Sequence, residues 1–529
     1  MYLFMHKLKR VKNMFKRCIA VYICIFAVLC GICARLVYIV TSPHYTATLT
    51  HNTISVEISQ NRGTVFDCNG KKLTNNGYTY TALVTPYDIN NEDIAPYLND
   101  FQKEQLREGY PVAVTVDTSF NSDTLSVVRA YDRYSAIAAH IIGYTDAEGN
   151  GVCGVESGYN DILKGDTISA AFYKDGNGSI LQGIEPEITN NEPEKGVMLT
   201  IDKDIQEIIE QIAEQELSAG AVVVIENQSG KIRGMCSVPA FSQKSIESSL
   251  DDEDSPFLNR ALCSYSPGSA FKIVTAAAAL ENNTEFTFEC TGSVRVGDRD
   301  FHCVSEHGKV DLCAALSQSC NCYFIKLALQ LGADTVYSMA KNLGFLQEDK
   351  LCEGIVSDEG NLTELSVLYN SDGALALFSF GQGDVETTPV QIASMLQCIT
   401  NGGKQYKPTL IEGVTDSDGN ITRSQEQMSP TFVLSENTAN TLCEYLTYAV
   451  NNGTGKSAQT ESGDAGGKTA TVQTGRYSYD GAELDNTWFA GFFANKKYSV
   501  VIFNESDEFS AKSCAPIFAQ IANRICEMK

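Results

Sequence analysis

A single apolar stretch near the N-terminus most constrains how this 529-residue chain can fold. The stretch runs from residue 18 to residue 40 and is interrupted only by Arg35. It is long enough for a helix to cross a bilayer, and lysines and arginines crowd the segment before it. We expect residues 1–17 to form a basic cytoplasmic tail and residues 18–40 a transmembrane anchor. A cleaved signal peptide is less favoured, because the stretch is long and lacks a clear cleavage site.

Length and charge limit the possible classes of protein. A chain of 529 residues is too long for one hydrophobic core, so we expect two or more domains outside the membrane. The formal net charge of −25 argues against nucleic acid as a partner. One predicted span does not make a channel or a transporter.

Two patterns predict two kinds of structure after the anchor. Residues 41–195 alternate short strand-like segments with polar turns, which predicts a β-rich domain. Isoleucines then recur on one face of a predicted helix from Asp202 to Leu217, followed by a buried strand over residues 220–227. Residues 196–529 continue with a long helical middle, two strands and a C-terminal helix from Cys514 to Cys526. This mixture indicates an α/β domain.

The segment Ser269-Ala270-Phe271-Lys272 begins an apolar predicted helix that continues from Ile273 to Leu280. Residues three apart share a helix face, so we expect the Lys272 amine to lie beside the Ser269 hydroxyl. A lysine that is partly desolvated near other cations can lose its proton and accept one from the serine. The pattern predicts a serine nucleophile with a lysine base, although one Ser-x-x-Lys segment is expected by chance in a chain of this length.

Two later segments carry side chains that could complete such a site. In Ser319-Cys320-Asn321, the serine can move a proton and the asparagine amide can bond a substrate carbonyl. The segment 466–471 has the sequence Gly-Gly-Lys-Thr-Ala-Thr and precedes strand-like residues. A strand edge that bears Lys468 and Thr469 could pair with an extended peptide and bind its terminal carboxylate.

These three segments, in this order and at these wide spacings, resemble the signature of penicillin-binding proteins and class A β-lactamases. Cys320 replaces an aspartate of that signature, and Ala470 replaces a glycine that leaves the strand bare for a substrate backbone. Four further segments are similar to those of class B penicillin-binding proteins, the monofunctional peptidoglycan transpeptidases: Arg62 to Gly70, Gly151 to Gly165, Leu199 to Gln206, and Phe380 to Gln391.

The resemblance implies a fold and a reaction. The fold is an α/β (α+β) serine transpeptidase, β-lactamase-like domain at 196–529, preceded by a β-rich class B pedestal at 41–195. In the implied reaction, Ser269 attacks the penultimate residue of a D-Ala-D-Ala stem peptide. An amine of a second stem peptide then resolves the acyl-enzyme into a cross-link, and β-lactams acylate the same serine.

The resemblance also implies a role for each remaining site residue. Lys272 is the implied base, Ser319 relays a proton to the leaving D-alanine, and Lys468 tunes the site electrostatically. Asn321 orients the stem-peptide amide, and Thr469 holds the terminal carboxylate. The backbone N–H groups of Ser269 and Thr471 form the implied oxyanion hole. The implied site needs no metal and no organic cofactor.

Partners and alternatives follow from the same resemblance. It implies a single-pass membrane protein with its catalytic domain outside the cytoplasm, and with a membrane glycosyltransferase and divisome or elongasome proteins as partners. One alternative is a D,D-carboxypeptidase or β-lactamase-type hydrolase that uses water as the acceptor. Another is a catalytically weak β-lactam-binding scaffold, because Ala470 replaces the glycine.

The 18 cysteines present a separate question. Cys290 and Cys303 flank a predicted hairpin with Gly297-Asp298 at its turn, so a cross-strand disulfide is one prediction. A metal cluster is an alternative interpretation, but its spacing matches no standard zinc pattern, so the sequence favours no metal site. The residues weighed for that cluster are His302, Cys303, His307, Cys313, Cys320 and Cys322.

Overall fold

The structure, a computed structural model, describes residues 2–41, 52–122, 124–135, 137–477, 483–506 and 510–528. The chain divides into two compact units. The first comprises residues 1–59, 79–130 and 167–191, and the second comprises residues 60–78, 131–166 and 192–529. The domain bounds expected from the sequence stay a prediction.

The N-terminal helix extends over Tyr2–Thr41. Within it, the 29-residue segment Arg10–Tyr38 contains an 18-residue window of mean hydropathy 2.4, none of which is buried in the protein. By length and composition this segment can cross a membrane. The helix therefore lies where the sequence predicts an anchor.

The rest of the first unit is rich in β-structure, as the sequence predicts. Two three-stranded sheets share a hydrophobic cluster that includes Leu83, Val128 and Phe172. The helical elements here are Pro86–Asp88 and Asp100–Arg107. The strands, some of which extend into the second unit, are Thr53–Arg62, Gly77–Val84, Val112–Val116, Ser126–Asp132, Lys164–Tyr173 and Glu187–Thr189.

The second unit is built on a five-stranded antiparallel sheet. Its strand order is Ile232–Val238, Gly220–Glu226, Tyr498–Ser506, Glu483–Phe493 and Gly466–Tyr477. Side chains alternate between the two faces of each strand, so both faces carry apolar residues that must be covered. Lys203–Glu216 and Ser510–Glu527 cover one face, whereas Lys272–Glu281 and Pro389–Thr400 pack in the cluster on the other. This sheet with helices on both faces confirms the predicted fold class.

The remaining elements of the second unit surround this sheet. The further helices are Ala139–Ile142, Gly154–Gly158, Asn160–Leu163, Ile246–Ser249, Gly268–Phe271, Leu312–Ser317, Asn321–Leu331, Ala333–Asn342, Leu365–Asn370, Asp372–Phe378, Glu436–Asn452 and Lys456–Ala458. The further strands are Val65–Phe66, Lys195–Leu199, Phe288–Cys290, Ser293–Val296, Arg299–His302, Gly308–Val310, Lys350–Cys352, Ile355–Val356, Lys404–Gln405, Ile411–Asp416, Ile421–Ser424 and Thr431–Phe432.

Two of the segments that resemble those of class B penicillin-binding proteins, Arg62 to Gly70 and Gly151 to Gly165, meet in a buried ion pair of the second unit. Arg62 donates to Glu156 at 2.8 Å, and both side chains are 2% exposed. Arg133 contacts the other carboxylate oxygen of Glu156. Burial makes each charge depend on its partners, because an unpaired buried charge is costly. Gly63 follows Arg62 in the chain, and its carbonyl accepts a hydrogen bond from Arg133. A Cβ atom on Gly63 would stand 2.0 Å from the Lys195 carbonyl oxygen.

The predicted hairpin forms, but the predicted disulfide does not. Ser293–Val296 pairs with Arg299–His302 around the Gly297-Asp298 turn. Cys290 lies outside this hairpin and pairs instead with Gly308. Cys290 and Cys303 are both free thiols.

Candidate active site

Ser269 lies on a single 3₁₀ turn, Gly268–Phe271, that leads directly into the helix Lys272–Glu281. Gly268 has a φ of +50°, and a Cβ atom there would lie 2.5 Å from Cγ2 of Val472. Glycine is therefore required where the serine turn meets the strand Gly466–Tyr477. This contact brings Ser269 next to the segment that bears Lys468.

Two parts of the second unit hold the serine turn in place. The Gly381 carbonyl accepts the Gly268 N–H at 3.1 Å and the Ser266 hydroxyl at 3.0 Å. The indole of the buried Trp488 donates to the Ser266 carbonyl at 3.1 Å. Phe380-Gly381 was recognisable in the sequence only through a resemblance, whereas in the structure the Gly381 carbonyl accepts two hydrogen bonds that position the serine turn.

The amine of Lys272 and the hydroxyl of Ser269 are connected through Ser319. Lys272 Nζ donates to Ser319 Oγ at 3.0 Å, and Ser319 Oγ donates to Ser269 Oγ at 3.0 Å. Lys272 also donates to the Ser319 carbonyl and to Oδ1 of Asn321, both at 2.7 Å. A proton can therefore pass between the first serine and the lysine along a continuous path of hydrogen bonds.

Ser319 has its position because of the turn between two helices. Leu312–Ser317 ends just before it, and Asn321–Leu331 begins two residues after it. Its φ of +57° is in the left-handed region, which a non-glycine residue adopts only at a cost. Such strain is common where a side chain must be aimed at a site. The Asn321 amide completes the turn by donating to the His302 carbonyl at 3.2 Å.

Both lysines of the site are buried, and burial disfavours a positive charge. Burial lowers the pKa of Lys272 to about 7, although Cys303, Cys320 and Cys322 oppose the shift electrostatically. The pKa of Lys468 is held well below its usual value, first by burial and then by the charge of Lys272. Near neutral pH, the neutral Lys272 amine that a general base requires is therefore well populated.

The strand Gly466–Tyr477 is the edge of the five-stranded sheet. Lys468 Nζ donates to the Thr469 carbonyl at 2.8 Å, and the Thr469 hydroxyl lies 3.0 Å from that of Thr454. Thr471 is two residues further along the strand and pairs with Thr487. No signal in the sequence marks Thr454, because it lies outside the segment 466–471.

The methyl group of Ala470 points into the core. Its side chain is 2% exposed and belongs to the hydrophobic cluster that contains Trp488 and Phe503. Its Cβ atom is 3.8 Å from the position that a Cβ atom would take on Gly268, an ordinary packing distance. The extra methyl therefore fills space beneath the serine turn.

The structure thus brings the sequence-predicted site residues to one region of the second unit. Ser269, Lys272, Ser319 and Asn321 share hydrogen bonds. Lys468 interacts electrostatically with Lys272, and its strand contacts the serine turn. The rings of Phe324 and Phe380, which the sequence analysis did not assign to the site, lie 5.8 and 5.9 Å from Lys272 Nζ.

Comparisons with known proteins show which family the chain is similar to. The family model described as the penicillin binding protein transpeptidase domain matches residues 220–523. Stage V sporulation protein D of Bacillus subtilis (strain 168) is 26% identical over 511 residues, covering 87% of this chain and 77% of its own length. The peptidoglycan D,D-transpeptidase FtsI homolog of Mesostigma viride is 24% identical, covering 90% of this chain and 89% of its own length.

Solved structures share the fold. The D,D-transpeptidase domain of a peptidoglycan glycosyltransferase from Eggerthella lenta superposes with a TM-score of 0.66 at 22% identity, covering 89% of this chain and 100% of that one. A penicillin binding protein 3 from Mycobacterium tuberculosis in complex with aztreonam gives 0.63 at 21% identity, covering 89% and 96%. The matched family region, 220–523, contains every residue of the candidate site.

Proposed function

Because the chain belongs to the penicillin-binding protein transpeptidase family, we propose that it cross-links peptidoglycan stem peptides through a Ser269 acyl-enzyme. Relatives named peptidoglycan D,D-transpeptidases support this activity. The observation that carries the proposal is the connection of a serine to a fully buried lysine through a second serine. It provides a nucleophile and a base without a histidine or a metal.

In the first step, Ser269 Oγ attacks the carbonyl carbon of the penultimate D-alanine. The proton of Ser269 passes to the neutral Lys272 amine through Ser319, whose hydroxyl is within 3.0 Å of both groups. The N–H groups of Ser269 and Thr471 stabilise the oxyanion, a contribution of about 3 kcal/mol per donor. The tetrahedral intermediate then expels D-alanine, whose amine takes up the proton through Ser319.

In the second step, the amine of another stem peptide attacks the acyl-enzyme. Lys272 accepts a proton from that amine, and Ser269 leaves with its proton restored. The products are a new amide cross-link and free enzyme, so the step needs no co-reactant. A β-lactam follows only the first step, because its leaving group stays attached and blocks the acceptor amine.

The substrate carboxylate compensates the buried positive charge of the site. Lys272 and Lys468 are both buried, and the charge of Lys272 adds to burial in lowering the pKa of Lys468. An anion beside Lys468 and Thr469 offsets that cost, because opposite charges favour each other's ionised forms. We assign the terminal D-alanine carboxylate to this position. Asn321, already bonded to Lys272, orients the stem-peptide amide by exchanging its bond to the His302 carbonyl.

Localisation and partners complete the proposal. We assign residues 1–17 to the cytoplasm, 18–40 to the membrane, 41–195 to a pedestal domain and 196–529 to the catalytic domain outside the cytoplasm. The basic residues before the apolar segment support this orientation. A membrane glycosyltransferase would supply the polymer to be cross-linked, and divisome or elongasome proteins are the proposed partners.

Labelled penicillin tests the nucleophile in the full chain purified in detergent. We expect one stable adduct on Ser269, no adduct in the Ser269→Ala variant, and normal labelling in a control with the exposed Ser366 changed to alanine. No adduct on the wild-type chain would favour a non-catalytic scaffold. Rapid turnover of penicillin would favour a hydrolase.

A second assay identifies the acceptor. The chain is supplied with a nascent glycan made by a peptidoglycan glycosyltransferase, and the digested products are separated by mass. Cross-linked dimers are the expected products. Release of D-alanine without dimers would show a carboxypeptidase instead.

A further inference from the structure

Three thiols and one imidazole meet beside the active-site turn in what we call the thiol–imidazole cluster: Cys290, Cys303, His307 and Cys320. Their ligand atoms all lie within 4.8 Å of one another. They come from three segments: the end of the strand Phe288–Cys290, the loop between Arg299–His302 and Gly308–Val310, which carries both Cys303 and His307, and the residue before the helix Asn321–Leu331.

We propose that the thiol–imidazole cluster binds one Zn²⁺ ion with tetrahedral coordination. Zn–S bonds of about 2.3 Å and Zn–N bonds of about 2.0 Å place tetrahedral ligands roughly 3.6–3.8 Å apart. Sγ of Cys303 lies 3.6 Å from Sγ of Cys320, and Sγ of Cys290 lies 3.4 Å from Nδ1 of His307. The two ligand atoms that are furthest apart need to move only about 1 Å closer to reach this spacing.

The surroundings of the sulfur atoms suit thiolate ligands. Sγ of Cys303 accepts the backbone N–H groups of Asn321 and Cys322 at 3.1 and 3.5 Å. Sγ of Cys320 accepts the N–H of Tyr323 at 3.4 Å. All three donors are at the start of the helix Asn321–Leu331, whose free N–H groups and dipole favour negative charge.

The imidazole has a second partner that fixes its orientation. While Nδ1 of His307 faces Cys290, Nε2 lies 3.2 Å from the hydroxyl of Ser305. A metal-binding histidine usually donates its other N–H to an oxygen in this way. Nδ1 is therefore the metal ligand, and Ser305 accepts from Nε2–H.

The chemistry of the ligand set selects the metal and its role. Three thiolates and one imidazole are soft ligands, and a tetrahedral S₃N arrangement favours zinc over magnesium or calcium. All four positions are filled by the protein, which is typical of a structural site. Cys290 and Cys320 are buried and the other two ligands are half-buried, so the ion has a path of entry.

A metal bound here would hold the active-site turn. Cys320 lies between Ser319 and Asn321, the two residues that accept hydrogen bonds from Lys272. Fixing its sulfur to two other segments restrains the strained backbone of Ser319. The cluster thus positions catalytic side chains without contacting the substrate.

The structure also corrects the metal cluster considered from the sequence. Cys290 was missing from that set, whereas His302, Cys313 and Cys322 are not part of the four that converge. The ligands have the spacing Cys-x₁₂-Cys-x₃-His-x₁₂-Cys, in which the hairpin Ser293–His302 separates the first two. A hairpin brings its ends together at almost any length, so spacing alone could not reveal the site.

Metal analysis of the full chain in detergent tests the proposal. The protein is purified anaerobically with a phosphine reductant and no chelator, and its zinc is measured by mass spectrometry. We expect about one zinc per chain in the wild type and loss of most of it in Cys303→Ser and His307→Ala. Cys313→Ser, a half-buried cysteine outside the cluster, should keep its zinc. His307→Cys supplies another soft ligand and should also keep it.

Cobalt substitution provides a readout that does not depend on whether variants fold. Co²⁺ added to the chelator-stripped wild type should give thiolate charge-transfer absorption and the visible bands of a tetrahedral site. The proposal is overturned if the reduced wild type takes up neither metal, or if Cys313→Ser loses as much zinc as Cys303→Ser. It is equally overturned if Cys303 and Cys320 form a disulfide in the native chain and their reduction restores no metal binding. Penicillin labelling of Ser269, measured separately, reports on the transpeptidase assignment alone.

Discussion

The hydroxyl of Ser319 donates a 3.0 Å hydrogen bond to the hydroxyl of Ser269. The same oxygen accepts a 3.0 Å bond from the amine of Lys272, so it lies between nucleophile and base. Removing the hydroxyl interrupts the path by which the proton moves. We expect Ser319→Ala to slow penicillin acylation about 10²–10³-fold, measured as the second-order rate constant.

Replacing Ser319 with glycine distinguishes an effect on the acylation rate from an effect on the stability of the fold. Ser319 has a φ of +57°, which glycine adopts without strain. Ser319→Gly should acylate as slowly as Ser319→Ala but unfold at an equal or higher temperature than wild type. Wild-type acylation in either variant would exclude Ser319 from the proton path.

The rate of acylation should depend on pH through Lys272. Burial lowers its pKa to about 7, and only the neutral amine can accept a proton. The rate should therefore fall about tenfold per pH unit below pH 7 and level off above it. Lys468→Arg, which leaves Lys272 in place, should still show an inflection of this kind. A flat profile between about pH 5 and pH 9 would contradict Lys272 as the base.

Stability should also depend on pH because of the same amine. The folded pKa is below the unfolded one, so between about pH 7 and pH 10 the unfolded chain binds a proton that the folded chain does not. Lys272 should therefore raise the free energy of unfolding as pH rises through this window. In thermal melts, the melting temperature of the wild type should rise with pH relative to that of Lys272→Met, in which methionine does not titrate. A constant difference would show that the folded pKa is not lowered.

Gly268→Ala should destabilise the second unit. Its Cβ atom would lie 2.5 Å from Cγ2 of Val472 at a φ of +50°, so the variant meets both a clash and a strained backbone. We expect a loss of about 2–4 kcal/mol in the free energy of unfolding. Adding Val472→Ala removes the clash and should recover part of it, as measured by denaturant unfolding. Complete recovery would show that the backbone conformation contributes nothing.

Ala470→Gly should change acylation only modestly, by less than about threefold. The methyl is buried in the core beneath the serine turn, so its removal creates a small void in a strand. The cost to stability should be about 1 kcal/mol, visible as a lower melting temperature. A rise of more than about tenfold in acylation would show that the methyl blocks the substrate.

Features that depend only on neighbouring residues in the chain could be predicted from the sequence. The amphipathic pattern over 202–217 predicted the helix Lys203–Glu216, and the run of β-branched residues predicted the strand Gly220–Glu226. Ser269 and Lys272 were recognisable because residues three apart share a helix face. In each case neighbours along the chain supply the information, so no distant contact is needed.

Other features exist only because distant segments pack together. Ser319 lies 50 positions from Ser269 in the chain, yet their hydroxyls share a hydrogen bond. The left-handed backbone of Ser319, which depends on the flanking helices, directs its hydroxyl towards Ser269. The direction of the Ala470 methyl depended on strand register against Trp488. The thiol–imidazole cluster required three segments to converge, and no local preference encodes such convergence. The sequence by itself determined the reactive groups and the elements that carry them, whereas long-range packing decided which of those groups meet.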